Sequence, residues 1–180
     1  MSQGSATRYP LVLVPGMLGF IRLVLYPYWY GIVSALRQGG ATVFAVQVSP
    51  LNSSEVCGEQ LLARIEEILR ETGAGKVNLF GHSQGSLTAR YAAAKRPDLV
   101  ASVTSVAGPN HGSELADYLH KHYPHDSAKG RLLSFLLRII VALMSLLETG
   151  YRGPKLPVDI PASHHSLTTE GVALFNQRYP

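Results

Sequence analysis

The stretch from Lys76 to Lys95, KVNLFGHSQGSLTARYAAAK, constrains the fold of this chain more than any other. An apolar run, Lys76–Phe80, leads into Gly81-His82-Ser83-Gln84-Gly85, and a helix-forming run continues through Leu87 to Lys95 before Pro97 stops it. Strand, G-x-S-x-G and helix in this order require the backbone to reverse within a few residues, with the strain falling on Ser83. Glycine at 81 and 85 lets the strand and the helix come that close. The reversal leaves the Ser83 hydroxyl exposed at the carboxyl end of a sheet, beside a helix N-terminus with its free N–H groups and partial positive charge. The five letters alone would also fit a serine in an ordinary glycine turn. The strand before them and the helix after them favour a nucleophile.

Three further Val-rich runs read as strands: Leu11–Val14, Thr42–Val48 and Val100–Val106. Between them, Ser54–Thr72 carries Leu61, Leu62, Ile65, Ile68 and Leu69 on one helical stripe and is stopped by Gly73. Such alternation predicts a parallel α/β sheet with right-handed crossovers. Past Gly108 the pattern is helical only, at Ser113–His120, Arg131–Leu147 and about Thr168–Arg178, with Pro154–Pro161 as a surface loop. The 180 residues form one domain without repeats. Hydrophobic residues make up 46% and charged ones 16%, against a usual charged share of about 25%, which excludes a disordered chain. Cys57 is the only cysteine, so no intrachain disulfide framework exists. The net charge of +4 comes from scattered basic residues, which argues against nucleic acid as a partner. The most apolar segment, Leu132–Leu147, has 16 residues with Arg138 inside, short of the roughly 18–20 of a transmembrane span.

The loop after the first strand reads Val14-Pro15-Gly16-Met17-Leu18-Gly19-Phe20. Gly16 permits a sharp turn there. The N–H of Met17 would then face the N–H of Gln84 across the space above Ser83, forming the donor pair that a tetrahedral acyl intermediate needs.

Taken together, YPLVLVPGMLGF, YPYWYGI, SEVCGEQLL, KVNLFGHSQGS, ASVTSVAGPNHGSELAD and SLTTEGVALFNQRYP resemble the bacterial true lipases of family one, the pseudomonad type. The resemblance runs through nearly the whole chain. It implies an α/β-hydrolase fold with an open parallel sheet, flanking helices and a helical lid at about residues 127–150. It also implies hydrolysis of carboxylic esters, triacylglycerol above all, at an oil–water interface. Ser83 is then the nucleophile, Met17 and Gln84 supply the oxyanion hole, and Gly16, Gly81, His82 and Gly85 shape the turns. Gly130 and Gly150 would act as lid hinges, and Phe20, Tyr28, Trp29 and Tyr30 would wall the acyl side. Family members continue past the point corresponding to Pro180. The resemblance puts the catalytic Asp and His, the carboxylates of a structural calcium site and the last strands in that later part, so no metal or other cofactor is assigned within this chain. A folding chaperone is a candidate partner through some relatives. Secretion follows from the family, although no basic-then-apolar leader precedes Tyr9, which keeps a cytoplasmic location as the alternative. Two departures stand out: Pro15 stands where histidine is common, and Cys57 where arginine is usual.

Other histidines carry weaker signals. His120, His122 and His125 have a spacing that metal ligands use, but a polar, solvated connector is the better reading. His82 is expected to pack structurally and His111 to make a structural hydrogen bond. Asp159 with His164 or His165 is the in-chain candidate for a base, although these residues fall in the Pro-rich loop. Without further strands, Val100–Val106 would form a bare sheet edge. Three readings follow: the amino-terminal part of a lipase, a catalytically incomplete hydrolase that binds lipid or a partner, and a short esterase with an improvised base.

Overall fold

A computed structural model describes residues 4–180. Four parallel strands form the sheet: β1 (Leu11–Val14), β4 (Val43–Ala45), β5 (Val77–His82) and β6 (Val100–Val106), in the order β4-β1-β5-β6. A two-stranded hairpin, β2 (Arg22–Leu23) and β3 (Tyr26–Pro27), leads into the short helix α1 (Ile32–Gln38), and the sequence pattern predicted none of the three. Helix α2 (Ser54–Thr72) and helix α3 (Gln84–Lys95) flank the sheet. The remaining elements are helices α4 (Glu114–His122), α5 (Ala128–Leu147), α6 (Ile160–His165) and α7 (Thr169–Arg178). No strand follows Val106 among the described residues.

Successive residues of β1 point to opposite faces, which builds two cores of unequal size. Val12 and Val14 join Leu61, Ile65, Ile68, Leu79, Leu87, Val172 and Phe175 in the larger one. Leu13 faces the other way into a small cluster with Trp29, Ala41 and Val43, backed by Val33 and Leu36 of α1. Both faces of β1 are therefore covered, as its continuous apolar sequence requires. In β6 only Val100 is buried, and the strand lies at the sheet edge, as its bare-edge reading anticipated.

Several boundaries move for identifiable reasons. β5 runs two residues further than its apolar letters suggest, because Gly81 and His82 still pair with Ser105 and Val106. β4 is shorter than Thr42–Val48. Past Val46, whose N–H still reaches the Leu13 carbonyl, the Ser49 N–H goes to the Gln60 side chain at 2.7 Å. α5 begins at Ala128, not Arg131, since Ser127 caps it by accepting from the Gly130 N–H at 3.0 Å. The Pro154–Pro161 loop ends early: Asp159 caps α6, and Pro161 sits in its first turn, where a missing N–H costs nothing.

Candidate active site

Ser83 occupies φ 55° and ψ −129°, between β5 and α3, a conformation that costs a non-glycine residue about 1–3 kcal/mol. The neighbourhood holds it there. Its N–H donates to the Val106 carbonyl at 2.9 Å, its carbonyl accepts from the Ser86 N–H at 2.9 Å, and the Ser86 hydroxyl donates to the Gly81 carbonyl at 2.8 Å. Two close approaches fix the surroundings. A Cβ at position 85 would lie 2.3 Å from the Val14 carbonyl oxygen, so α3 rests directly on the end of β1. A Cβ at position 16 would lie 2.7 Å from the Ser83 Cβ, so the turn after β1 stands against the serine.

That turn is well tied. The Gly19 N–H closes it on the Gly16 carbonyl at 3.0 Å, and the Leu18 N–H reaches the Pro50 carbonyl at 2.7 Å. Among the described residues no backbone carbonyl accepts from the Met17 N–H, and Gln84 is the first residue of α3, where an N–H has no partner within the helix. The side chains of these two residues take other roles. Gln84 is buried and its Nε2 donates to the Asn52 carbonyl at 2.8 Å and to Ser166 Oγ at 3.4 Å. Met17 is 43% exposed, with its sulfur accepting from Ser163 Oγ at 3.8 Å. Asn52, Ser163 and Ser166 thus brace the site, and nothing in their sequence context pointed to them.

The aromatic residues divide. Tyr28 packs edge-on to Phe20 at 5.4 Å and to His82 at 5.8 Å, close to the turn. Trp29 is buried in the small core against Phe80, and Tyr30 is exposed, so neither walls a space at Ser83 as expected. Only Val141 and Gly130 of α5 are buried. Val141 sits with Leu51 and Ile160, and Leu18 and Leu137 pack against them, which lays α5 beside the Met17 turn. Between Phe20, Pro50 and α5 the open space is about 20 Å³, too small for an acyl chain. A much larger cavity of about 1100 Å³ lies along β4, lined by Trp29, Arg37, Phe44 and Arg64, and none of Ser83, Met17 and Gln84 borders it.

The hinge expectation needs correction. Gly130 is inside the first turn of α5, where a side chain would strike the Pro124 carbonyl, and a Cβ at Gly150 would meet Ile21. Both glycines allow close packing. At its far end α5 is stapled to the hairpin: Glu148 accepts from the N–H groups of Ile21 and Arg22, each at 3.0 Å, and the Val24 N–H reaches the Leu147 carbonyl at 2.9 Å. With 20 residues, α5 is long and apolar enough to cross a membrane by length and composition, which revises the 16-residue count.

The remaining histidines are spread out. His120 and His122 lie exposed in the last turn of α4, but His125 is not a solvated connector. Both its ring nitrogens are buried without a hydrogen-bond partner, and its ring meets His164 edge-on at 5.4 Å. Burial pushes its pKa down, and the charges of His164 and His120 add to this. His111 is exposed, and among the described residues its side chain makes no hydrogen bond, contrary to expectation. Asp159 is committed to capping Ala162 at 3.0 Å, while His164 Nε2 donates to the Ala116 carbonyl at 2.7 Å, so the two form no pair. Among the described residues no histidine bonds the Ser83 hydroxyl, and no group of three His, Cys, Asp or Glu side chains is placed to hold a metal ion. Burial, with Glu55 nearby, pushes the Cys57 thiol up to about 12, and it donates to the Ser49 carbonyl, which makes it inert.

A sequence profile described as the alpha/beta hydrolase fold matches residues 9–138. The chain belongs to the alpha/beta hydrolase fold family. Within that family it is 46% identical to a triacylglycerol lipase of Pseudomonas fragi over 100% of this chain and 60% of that protein. It is 49% identical to a triacylglycerol lipase of Vibrio cholerae over 97% of this chain and 55% of that protein. The chain thus spans less than two thirds of these relatives. Among solved structures, a Bacillus licheniformis lipase in its mature form superposes with a TM-score of 0.65 at 21% identity, covering 95% of this chain and 59% of the other, which supports the fold.

Proposed function

We propose that this hydrolase chain carries the nucleophile and oxyanion elements of a serine lipase that cleaves triacylglycerol and related lipid esters. The observation that carries the reading is the strained Ser83 backbone between β5 and α3, with the Gly16 turn pressed against it. In this reading Ser83 Oγ attacks the ester carbonyl carbon and its proton passes to a base. The carbonyl oxygen becomes an oxyanion between the N–H groups of Met17 and Gln84, each such donor contributing roughly 3–4 kcal/mol of barrier lowering. Collapse breaks the ester C–O bond, the base returns its proton so that the alcohol departs, and water hydrolyses the remaining acyl-enzyme. The base and its carboxylate are assigned to the portion of the relatives that this chain does not span, since among the described residues Asp159 and His164 are each committed elsewhere and no histidine bonds the Ser83 hydroxyl. α5 acts as the lid, resting on the Met17 turn in water and turning its apolar side to an oil surface.

The same missing pair favours a second reading, a catalytically incomplete hydrolase that binds lipid or a partner. A fluorophosphonate probe and a short-chain ester assay on this chain separate the two. Labelling that vanishes in Ser83→Ala supports the nucleophile. Labelling elsewhere, or ester turnover unchanged in Ser83→Ala, overturns it. Labelling at Ser83 without turnover leaves the chemistry dependent on a base from outside the chain.

A further inference from the structure

The side chain of His82, the variable residue of G-H-S-Q-G, is 2.6 Å from the Tyr28 hydroxyl through Nδ1. The same hydroxyl accepts from the Gly16 N–H at 3.1 Å. These two contacts form a bridge between the nucleophile elbow and the turn that presents the Met17 N–H. The turn lacks a histidine at position 15, and Tyr28 is the side chain that reaches its backbone.

The chemistry of the bridge sets its protons. A backbone N–H can only donate, so the Tyr28 oxygen accepts from Gly16. The one hydroxyl proton is then available to His82, and among the described residues it has no other acceptor. Donation from Tyr28 to His82 Nδ1 pairs that proton and places the imidazole proton on Nε2. Phe20 and Trp29 pack edge-on against the Tyr28 ring, at 5.4 and 5.1 Å, and hold it in place.

We propose that Tyr28 is a positioning residue for the oxyanion turn: through His82 Nδ1 and the Gly16 N–H it locks the Met17 N–H in register with Ser83, and it fixes His82 as the Nε2–H tautomer. The proposal rests on the reading of Ser83 as nucleophile and adds the device that keeps the oxyanion site assembled. A donor displaced by a fraction of an ångström stabilises the transition state less and the bound ground state about as well, so the loss falls on the rate and not on affinity.

Two measurements on this chain test it. The first is the kinetics of Ser83 phosphonylation by a fluorophosphonate, in which the Oγ–H bond breaks with its proton passing to water or buffer, the Oγ–P bond forms, fluoride leaves and the phosphoryl oxygen enters the oxyanion site. Tyr28→Phe keeps the ring and its packing and removes only the bridge. It is expected to lower the limiting labelling rate about tenfold or more, with the half-saturating probe concentration unchanged. An unchanged limiting rate, or a loss confined to half-saturation, overturns the proposal and makes Tyr28 a wall of the acyl side only. The second is the ¹⁵N spectrum of His82 in the wild-type chain, which requires no variant to fold. The Nε2–H tautomer with an accepting Nδ1 is expected, and an Nδ1–H tautomer overturns the bridge as described. Labelling that survives in Ser83→Ala would defeat the nucleophile reading, and the ¹⁵N spectrum would still report on the bridge.

Discussion

Helices α3 and α5 are both rich in apolar or small residues, yet the structure treats them in opposite ways. α3 is one of the most enclosed elements, with eight of its 12 residues buried, while α5 buries two of 20. The difference lies in side-chain size and in what each helix touches. α3 carries Gly85, Ser86, Ala89 and Ala92, which let its backbone settle onto β1, β5 and α2. α5 carries Leu132, Phe135, Leu136, Ile139, Ile140, Leu143 and Leu146, all of which are exposed. Apolar composition sets the tendency to leave water, and backbone proximity decides whether the fold itself satisfies it. The helix that follows Ser83 is thereby held against the sheet, and α5 beside the Met17 turn keeps an apolar side exposed.

Gly85→Ala should break this contrast most severely. Its methyl would sit 2.3 Å from the Val14 carbonyl oxygen, so either α3 or β1 must move, and a loss of about 4 kcal/mol or outright failure to fold is expected in urea titration. A loss below about 1 kcal/mol would show that α3 is not seated as described. Leu87→Ala, at a fully buried site, should cost about 3 kcal/mol through the cavity it leaves.

A smaller effect concerns the approach to α5. His125 has a folded-state pKa below its ordinary value of 6.5, so the unfolded chain takes up this proton first as the pH falls. Its share of stability is therefore complete above pH 6.5 and is lost below it. Comparing urea midpoints at pH 7.5 and 5.5, His125→Leu should show a shallower fall than wild type, and an equal fall would deny the effect of burial. The facing groups His164, His120, Asp159 and Asp126 remain and keep part of the slope. The smallest change is expected for Leu146→Gln on the outer side of α5, where the residue is 81% exposed. Stability should stay within about 0.5 kcal/mol, and a larger loss would mean that this side of α5 packs within the chain.

Strand β5 and helix α3 were legible because the local pattern and the tertiary need agree there. The strand buries Val77, Leu79 and Gly81 on one face and half-buries Asn78, Phe80 and His82 on the other, and the glycines stand where the backbones touch. Helix α6 was not legible. Its first turn contains Pro161, which in sequence marks a loop, and only the Asp159 cap and the burial of Ile160 and Ser163 show that a helix begins there. Its serines brace Met17 and Gln84 from more than 80 residues away in the chain, a separation that no local signal reports. The histidines were misjudged for the same reason. His125 lies in a polar stretch, and its burial depends on His164, which belongs to another element.

By itself the sequence determined the parallel sheet, the elbow at Ser83 and the apolar character of α5, because each is written in residues that are neighbours along the chain. The tertiary structure alone decided that Tyr28 joins His82 to Gly16, that Trp29 belongs to the core, and that α5 lies exposed beside the Met17 turn. Those facts depend on which surfaces meet once the sheet has formed. A side chain's partners across space follow from packing, which periodicity and composition do not encode.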